Sequence, residues 1–167
     1  VDAMRAAMLA ALKDRGAVML GAAQKAALRS LMWPEGKLSP AVIGKSARET
    51  AERAPEQDAG GRKAWLAIAE SNPRILMVAE DGVGHEHPYS GEKLSPVLAI
   101  YAARDFDEAA GIVERIYAYE GAGHSVGLHS ARPERALQLG LSLPVSRVIV
   151  DQAHCIATGG SFDNGLP

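Results

Sequence analysis

Apolar residues recur at helical spacing at Met4, Ala7, Met8 and Leu12, which predicts a helix over residues 2–15. Asp2 can cap it and Gly16 can close it. A short apolar run, 17–20, reads as extended chain. The Ala- and Leu-rich stretch 21–33 reads as a second helix that stops at Pro34. Residues 35–40 read as a turn and 41–44 as a short strand. Ser46-Ala47-Arg48-Glu49 has the spacing of a capping box, in which the Ser hydroxyl reaches the amide three residues on and the Glu reaches back. That helix should run to about residue 53, ahead of Pro55, and a further helix should occupy 62–71. The run 74–79 is continuously apolar between turn signals and predicts a buried strand. A polar loop follows to Gly91, then a strand over 97–101 and a helix opened by Asp105-Phe106-Asp107-Glu108. Its acidic first turn suits the positive end of the helix dipole. A strand over 124–129, a helix capped by Ser130 and ending near Gly140, and a last buried strand over 147–151 complete the regular pattern. Residues 152–167 read as a Gly-rich loop. Strand, helix, strand, helix, strand from 97 to 151 predicts an α/β fold with a mostly parallel sheet and helices on its faces.

Three places carry candidate chemistry. Glu92 sits before the strand that starts at Val97. A carboxylate there can accept hydrogen bonds from two neighbouring ribose hydroxyls, or it is a solvated loop side chain. His124 stands between Gly123 and Ser125, with Gly121 close by. The glycines allow close approach of backbone or ligand, and an imidazole there can relay protons near neutral pH or simply start a strand. His85 and His87 would point the same way in an extended segment, but no third ligand follows at a characteristic spacing, so no metal site is expected. Cys155 follows His154. Adjacent residues seldom face each other, so the pair reads as a bland thiol rather than a nucleophile and its base. Gly159-Gly160-Ser161 precedes no helix signal and is not a phosphate loop. Arg132, Glu134 and Arg135 read as a solvated helix face.

Composition narrows these readings. The chain has 167 residues, enough for one core, and 47% are hydrophobic, a globular proportion. A net charge of −2 does not favour nucleic acid or an acidic membrane surface. A single cysteine allows no internal disulfide and points to a reducing, cytoplasmic setting. No apolar run approaches the roughly 20 residues of a membrane span. The start at Val1 and the end on Gly165-Leu166-Pro167 read as the ends of an excised piece of a longer protein.

Glu92-Lys93-Leu94-Ser95-Pro96-Val97, followed by the helix opening at Asp105 and by Gly121-Ala122-Gly123-His124-Ser125 about thirty residues on, resembles the aldehyde dehydrogenase superfamily, in its CoA-acylating branch. Leu38-Ser39-Pro40-Ala41-Val42-Ile43-Gly44 fits the same branch. The resemblance implies a three-layer αβα catalytic domain, truncated at both ends, without its Rossmann cofactor domain. It implies that Glu92 binds the nicotinamide-side ribose, that Leu94 lies near the nicotinamide ring, and that His124 belongs to the active site. The implied reaction joins an aldehyde, CoA and NAD or NADP to give acyl-CoA through a cysteine thioester. The implied nucleophile would precede Val1 and does not match Cys155, so the chain alone is expected to be inactive. A homo-oligomer is expected of the parent protein. A non-acylating aldehyde dehydrogenase and a non-catalytic α/β module that binds a nucleotide or CoA stand as alternatives.

Overall fold

The computed structural model describes residues 2–56, 58 and 60–159. The helices and strands follow in the order α1 (Asp2–Asp14), β1 (Ala17–Met19), α2 (Ala22–Met32), α3 (Ala47–Arg53), α4 (Arg62–Glu70), β2 (Ile75–Ala79), β3 (Val97–Ile100), α5 (Phe106–Glu120), β4 (Ser125–Leu128), α6 (Glu134–Ser142), β5 (Arg147–Val150) and α7 (His154–Gly159). The chain divides into two compact units, Val1–Ala109 and Ala110–Pro167. Among the described residues every ladder is parallel, as the pattern predicts. The strands are shared between a three-stranded sheet, β1-β2-β3, and a two-stranded sheet, β4-β5.

In the first unit the two-residue period of the strands sorts their side chains onto two faces. Leu76 and Val78 of β2, Val97 of β3 and Leu20 just after β1 enter the large core. There they meet Leu28, Leu31 and Met32 of α2, Ala47 and Ala51 of α3, and Trp65 and Ala69 of α4. Ala17, Met77 and Ile100 point the other way and pack with Leu9 and Leu12 of α1. The central strand is therefore covered on both faces, which explains why its sequence is continuously apolar. Gly16 makes the entry into β1 possible. Its φ of 88° closes α1, and a Cβ there would stand 3.1 Å from Cγ of Arg74. The Arg74 amide donates to the Gly16 carbonyl at 2.8 Å and starts the β1–β2 alignment.

The capping box at Ser46 forms as expected. The Glu49 amide donates to Ser46 Oγ at 3.1 Å and the Ser46 amide to Glu49 Oε2 at 2.8 Å. Four local expectations are corrected. Residues 41–44 form turns, not a strand: Pro40 has no N–H to pair, Gly44 adopts a φ of 68°, and the Val42 side chain is wholly buried in the large core. Ser130 does not cap α6. Its Oγ accepts from the Arg132 amide and from Arg135 Nη1, both at 3.2 Å, and the helix starts after Pro133. Gly140 stays inside α6, which ends at Ser142, where the Leu143 amide still reaches the Leu139 carbonyl at 2.9 Å. The stretch after β5 is not all loop. Residues 154–158 hold no Gly or Pro, and α7 forms there. Gly160 and Ser161 lie outside the described residues.

In the second unit Val126 and Leu128 of β4 and Ile149 of β5 are buried with Leu139 and Leu143. Tyr117 of α5 donates its hydroxyl to the Ser125 carbonyl at 2.9 Å.

Candidate functional site

The segment between β2 and β3 is a polar loop, as the sequence predicts, and it is anchored at several points. Glu80, the first residue after β2, turns inward, with its side chain only 2% exposed. Lys25 of α2 pairs with Glu80 Oε2 at 3.1 Å and donates to the Ala79 carbonyl at 2.6 Å. His87 Nδ1 lies 2.9 Å from Glu80 Oε1, and the Asp81 amide donates to the same oxygen at 3.0 Å. A Cβ on Gly82 would stand 2.2 Å from the His87 ring, so this approach requires glycine. Tyr89 is fully buried, packs edge-on against Trp33 with ring centroids 4.9 Å apart, and donates its hydroxyl to the Lys25 carbonyl at 2.7 Å. Burial, and then the neighbouring Glu80 charge, push the Tyr89 hydroxyl well above the usual phenol range.

Burial alone would raise the Glu80 carboxyl. The hydrogen bonds from His87, the Asp81 amide and Lys25, together with the Lys25 charge, outweigh it and hold Glu80 at about 2 against an ordinary 4.5. A depressed folded value means that the folded state binds this proton more weakly than the unfolded chain. The stabilisation is therefore complete above 4.5 and is lost as pH falls through about 2. It amounts to roughly 2–3 kcal/mol. Urea unfolding of wild type and Glu80→Gln should show it: wild type loses that much more stability than the variant between about pH 5 and pH 2. Parallel pH profiles would contradict the assignment.

Glu80, Asp81 and His87 bring three ligating atoms within 4.8 Å of one another. Both Glu80 oxygens are already engaged, one by Lys25 and one by His87. A cation there would have to compete with the Lys25 ammonium. His85, the other histidine of the sequence pair, is not part of this group.

Beyond this anchor the chain presents Glu92 and Leu94. Lys93, between them, turns back and donates from Nζ to the carbonyls of Tyr89 at 2.9 Å and Gly91 at 2.5 Å. Glu92 is exposed. Leu94 has a φ of 44°, a conformation that a branched side chain seldom adopts, and it is 52% exposed. The Gly44 amide, at the end of the 41–44 turns, holds the Leu94 carbonyl at 2.9 Å. Ser95 Oγ is buried without a hydrogen-bond partner. Left-handed backbone, an exposed apolar side chain and an orphaned hydroxyl coincide at residues 94–95, ahead of the Val97 ladder. Such local violations collect where a chain is shaped for a ligand rather than for its own stability.

His124 belongs to the second unit. It is exposed, immediately before β4. Gly121 and Gly123 have φ values of 109° and 99°, and a Cβ at either would meet nothing within 4 Å. The glycines are thus needed for the backbone turn, and the space beside them is open. The Ser146 amide donates to the His124 carbonyl at 2.9 Å, the Gly123 amide donates to the Pro144 carbonyl at 2.8 Å, and Ser146 Oγ donates to the Gly123 carbonyl. The backbone of the His124 turn is therefore fixed while its imidazole faces outward. Cys155 is a free, exposed thiol on α7. The ring of the adjacent His154 lies over Gly127 of β4, where a Cβ would come within 2.6 Å of Cε1.

Sequence reasoning singled out Glu92, Leu94 and His124 as candidates and passed over Lys25, Glu80 and Tyr89. The available signal was a carboxylate directly after a wholly apolar strand, where a charge is buried only with a partner. No helix of the described residues is long and apolar enough to cross a membrane.

No family model matches the chain. It is 53% identical over all 167 of its residues to the sulfoacetaldehyde dehydrogenase (acylating) of Cupriavidus necator, of which it spans 32%. It is 35% identical over 138 residues, 83% of its length, to the succinate-semialdehyde dehydrogenase (acetylating) of Clostridium kluyveri, of which it spans 28%. Its fold matches 30% of the crystal structure of an acetylating aldehyde dehydrogenase from Geobacillus thermoglucosidasius, with a TM-score of 0.72, 27% identity and 89% of this chain covered. The chain thus spans about a third of the length of the relatives it matches, and along that third it belongs to the CoA-acylating branch of the aldehyde dehydrogenases.

Proposed function

We propose that the chain forms part of the catalytic domain of an oxidoreductase that converts an aldehyde and CoA to acyl-CoA with reduction of NAD(P)+. The carrying observation is the 92–95 segment. An acidic side chain, Glu92, and an apolar one, Leu94, are both exposed there, with Leu94 on left-handed backbone whose carbonyl accepts from the Gly44 amide. These two side chains fit the two halves of a nicotinamide riboside. Glu92 accepts hydrogen bonds from the ribose hydroxyls, and Leu94 lies against the ring. When bound, the nicotinamide accepts a hydride and the CoA thiol receives the acyl group. His124 holds or moves a proton at its imidazole, or orients the thioester, from a turn whose backbone is fixed. Cys155 is assigned no part. The nucleophilic cysteine and the Rossmann domain belong to the rest of the same polypeptide, which acts as a homo-oligomer in the cytoplasm.

The Cupriavidus necator and Clostridium kluyveri relatives are named for sulfoacetaldehyde and succinate semialdehyde, aldehydes that carry an acid group, and such an aldehyde is the substrate class we assign. The test is product analysis with the intact enzyme that contains this segment, supplied with sulfoacetaldehyde or succinate semialdehyde, CoA, and NAD+ or NADP+. Acyl-CoA formed in step with NAD(P)H is expected. Free carboxylate at a rate independent of CoA would favour a hydrolytic aldehyde dehydrogenase, and absence of turnover would favour a non-catalytic binding module.

A further inference from the structure

We propose that the Lys25–Glu80–His87 cluster is a positioning device that fixes the segment presenting Glu92 and Leu94. This deepens the nicotinamide reading of those two residues and rests on it. A series of contacts runs from the end of β2 to Lys93, beside Glu92. Glu80 is tied to α2 by Lys25, and His87 is tied to Glu80. Between them the Tyr101 hydroxyl holds the Gly82 carbonyl at 2.8 Å, and the Gly84 amide donates to Ser90 Oγ at 3.0 Å. The His87 amide returns to the Gly84 carbonyl at 2.8 Å, and the Ser90 amide reaches the His87 carbonyl at 2.8 Å. Tyr89 is sunk into the core beside Trp33, with its hydroxyl on the Lys25 carbonyl. Lys93 then clamps the Tyr89 and Gly91 carbonyls, with Glu92 on one side of it and Leu94 on the other.

Most of these bonds are short-range and join turn to turn. Three features tie the segment to the rest of the first unit: the Glu80 cluster, the Tyr89 side chain and the Tyr101 hydroxyl on the Gly82 carbonyl. The cluster is the ionic one. It can be loosened without emptying the core, because His87 lies at its rim, with its side chain 40% exposed. The backbone of residues 82–93 links the cluster to Glu92 and Leu94.

The test uses four variants. His87→Ala removes the donor to Glu80 Oε1. His87→Asn keeps a donor near the position of Nδ1. Gly82→Ala places a Cβ where the His87 ring now lies. Glu92→Gln removes the assigned ribose contact itself. In the intact enzyme, amide hydrogen exchange should rise about tenfold or more for residues 83–94 in His87→Ala and Gly82→Ala, with the β2 amides unchanged and His87→Asn close to wild type. In the intact enzyme, the same two loosening variants should raise KM for the nicotinamide nucleotide about fivefold or more, with a smaller change in kcat and with His87→Asn restoring KM. Exchange and KM that stay at wild-type values in both loosening variants would overturn the proposal. So would increased exchange with an unchanged nucleotide KM while Glu92→Gln raises it, an outcome that leaves the nicotinamide reading standing. A Glu92→Gln enzyme with unchanged nucleotide KM would overturn that reading, and this proposal with it.

Discussion

Replacing Trp65 with Ala should cost about 3–5 kcal/mol of unfolding free energy, the range for removing a fully buried large aromatic. Trp65 is the largest wholly buried side chain and stands in the cluster that joins α2, α3 and α4 to the sheet. Folded domains are stable by only about 5–15 kcal/mol, so this one change takes a large share. Replacement with Phe should cost much less than a smaller ring would suggest. The indole Nε1 has no hydrogen-bond partner, and a buried unpaired donor carries a penalty of roughly 1–3 kcal/mol that Phe removes. The smaller ring leaves some space unfilled, and the two terms oppose each other, so Trp65→Phe should lie within about 1.5 kcal/mol of wild type. Denaturant midpoints of the two variants check this. Equal losses for Phe and Ala would show that Nε1 is satisfied, for example by a buried water.

The elements that could be read from the sequence were those with a strong local signature. The capping box at Ser46, the glycine closures at Gly16 and Gly121, and the apolar run of β2 each follow from short-range rules, and each forms. The misplaced ones depend on packing. Residues 41–44 are apolar enough for a strand, but Val42 is taken by the core and no neighbouring strand takes up their backbone. α7 was hidden by the Gly-rich residues that follow it. At the candidate site, Glu92 and His124 could be picked out because glycine, proline and the start of a strand surround them. The Glu80 cluster could not be picked out, because its partners lie 55 residues upstream at Lys25 and seven downstream at His87, and no local rule brings them together. The left-handed backbone at Leu94, whose carbonyl accepts from the distant Gly44 amide, leaves no mark in the residue type.

Replacing Glu92 with Gln should raise KM for the nicotinamide nucleotide about 10–100-fold. A carboxylate accepting two ribose hydroxyls makes charge-assisted hydrogen bonds, and the neutral amide keeps the shape while weakening both. Such bonds contribute roughly 1.5–3 kcal/mol, equivalent to about 10–100-fold in affinity. Because Glu92 is exposed and no part of the core, the substitution should leave the unfolding midpoint within about 0.5 kcal/mol of wild type, which separates loss of binding from loss of fold. The CoA term serves as the internal control, since Glu92 is assigned to the nucleotide alone. Steady-state kinetics of intact wild-type and Glu92→Gln enzymes, with nucleotide and CoA varied in turn, therefore test the central claim most directly. The nucleotide KM should rise at least about tenfold while the CoA KM stays within about twofold. An unchanged nucleotide KM would contradict the assignment of residues 92–94 to the nicotinamide nucleotide.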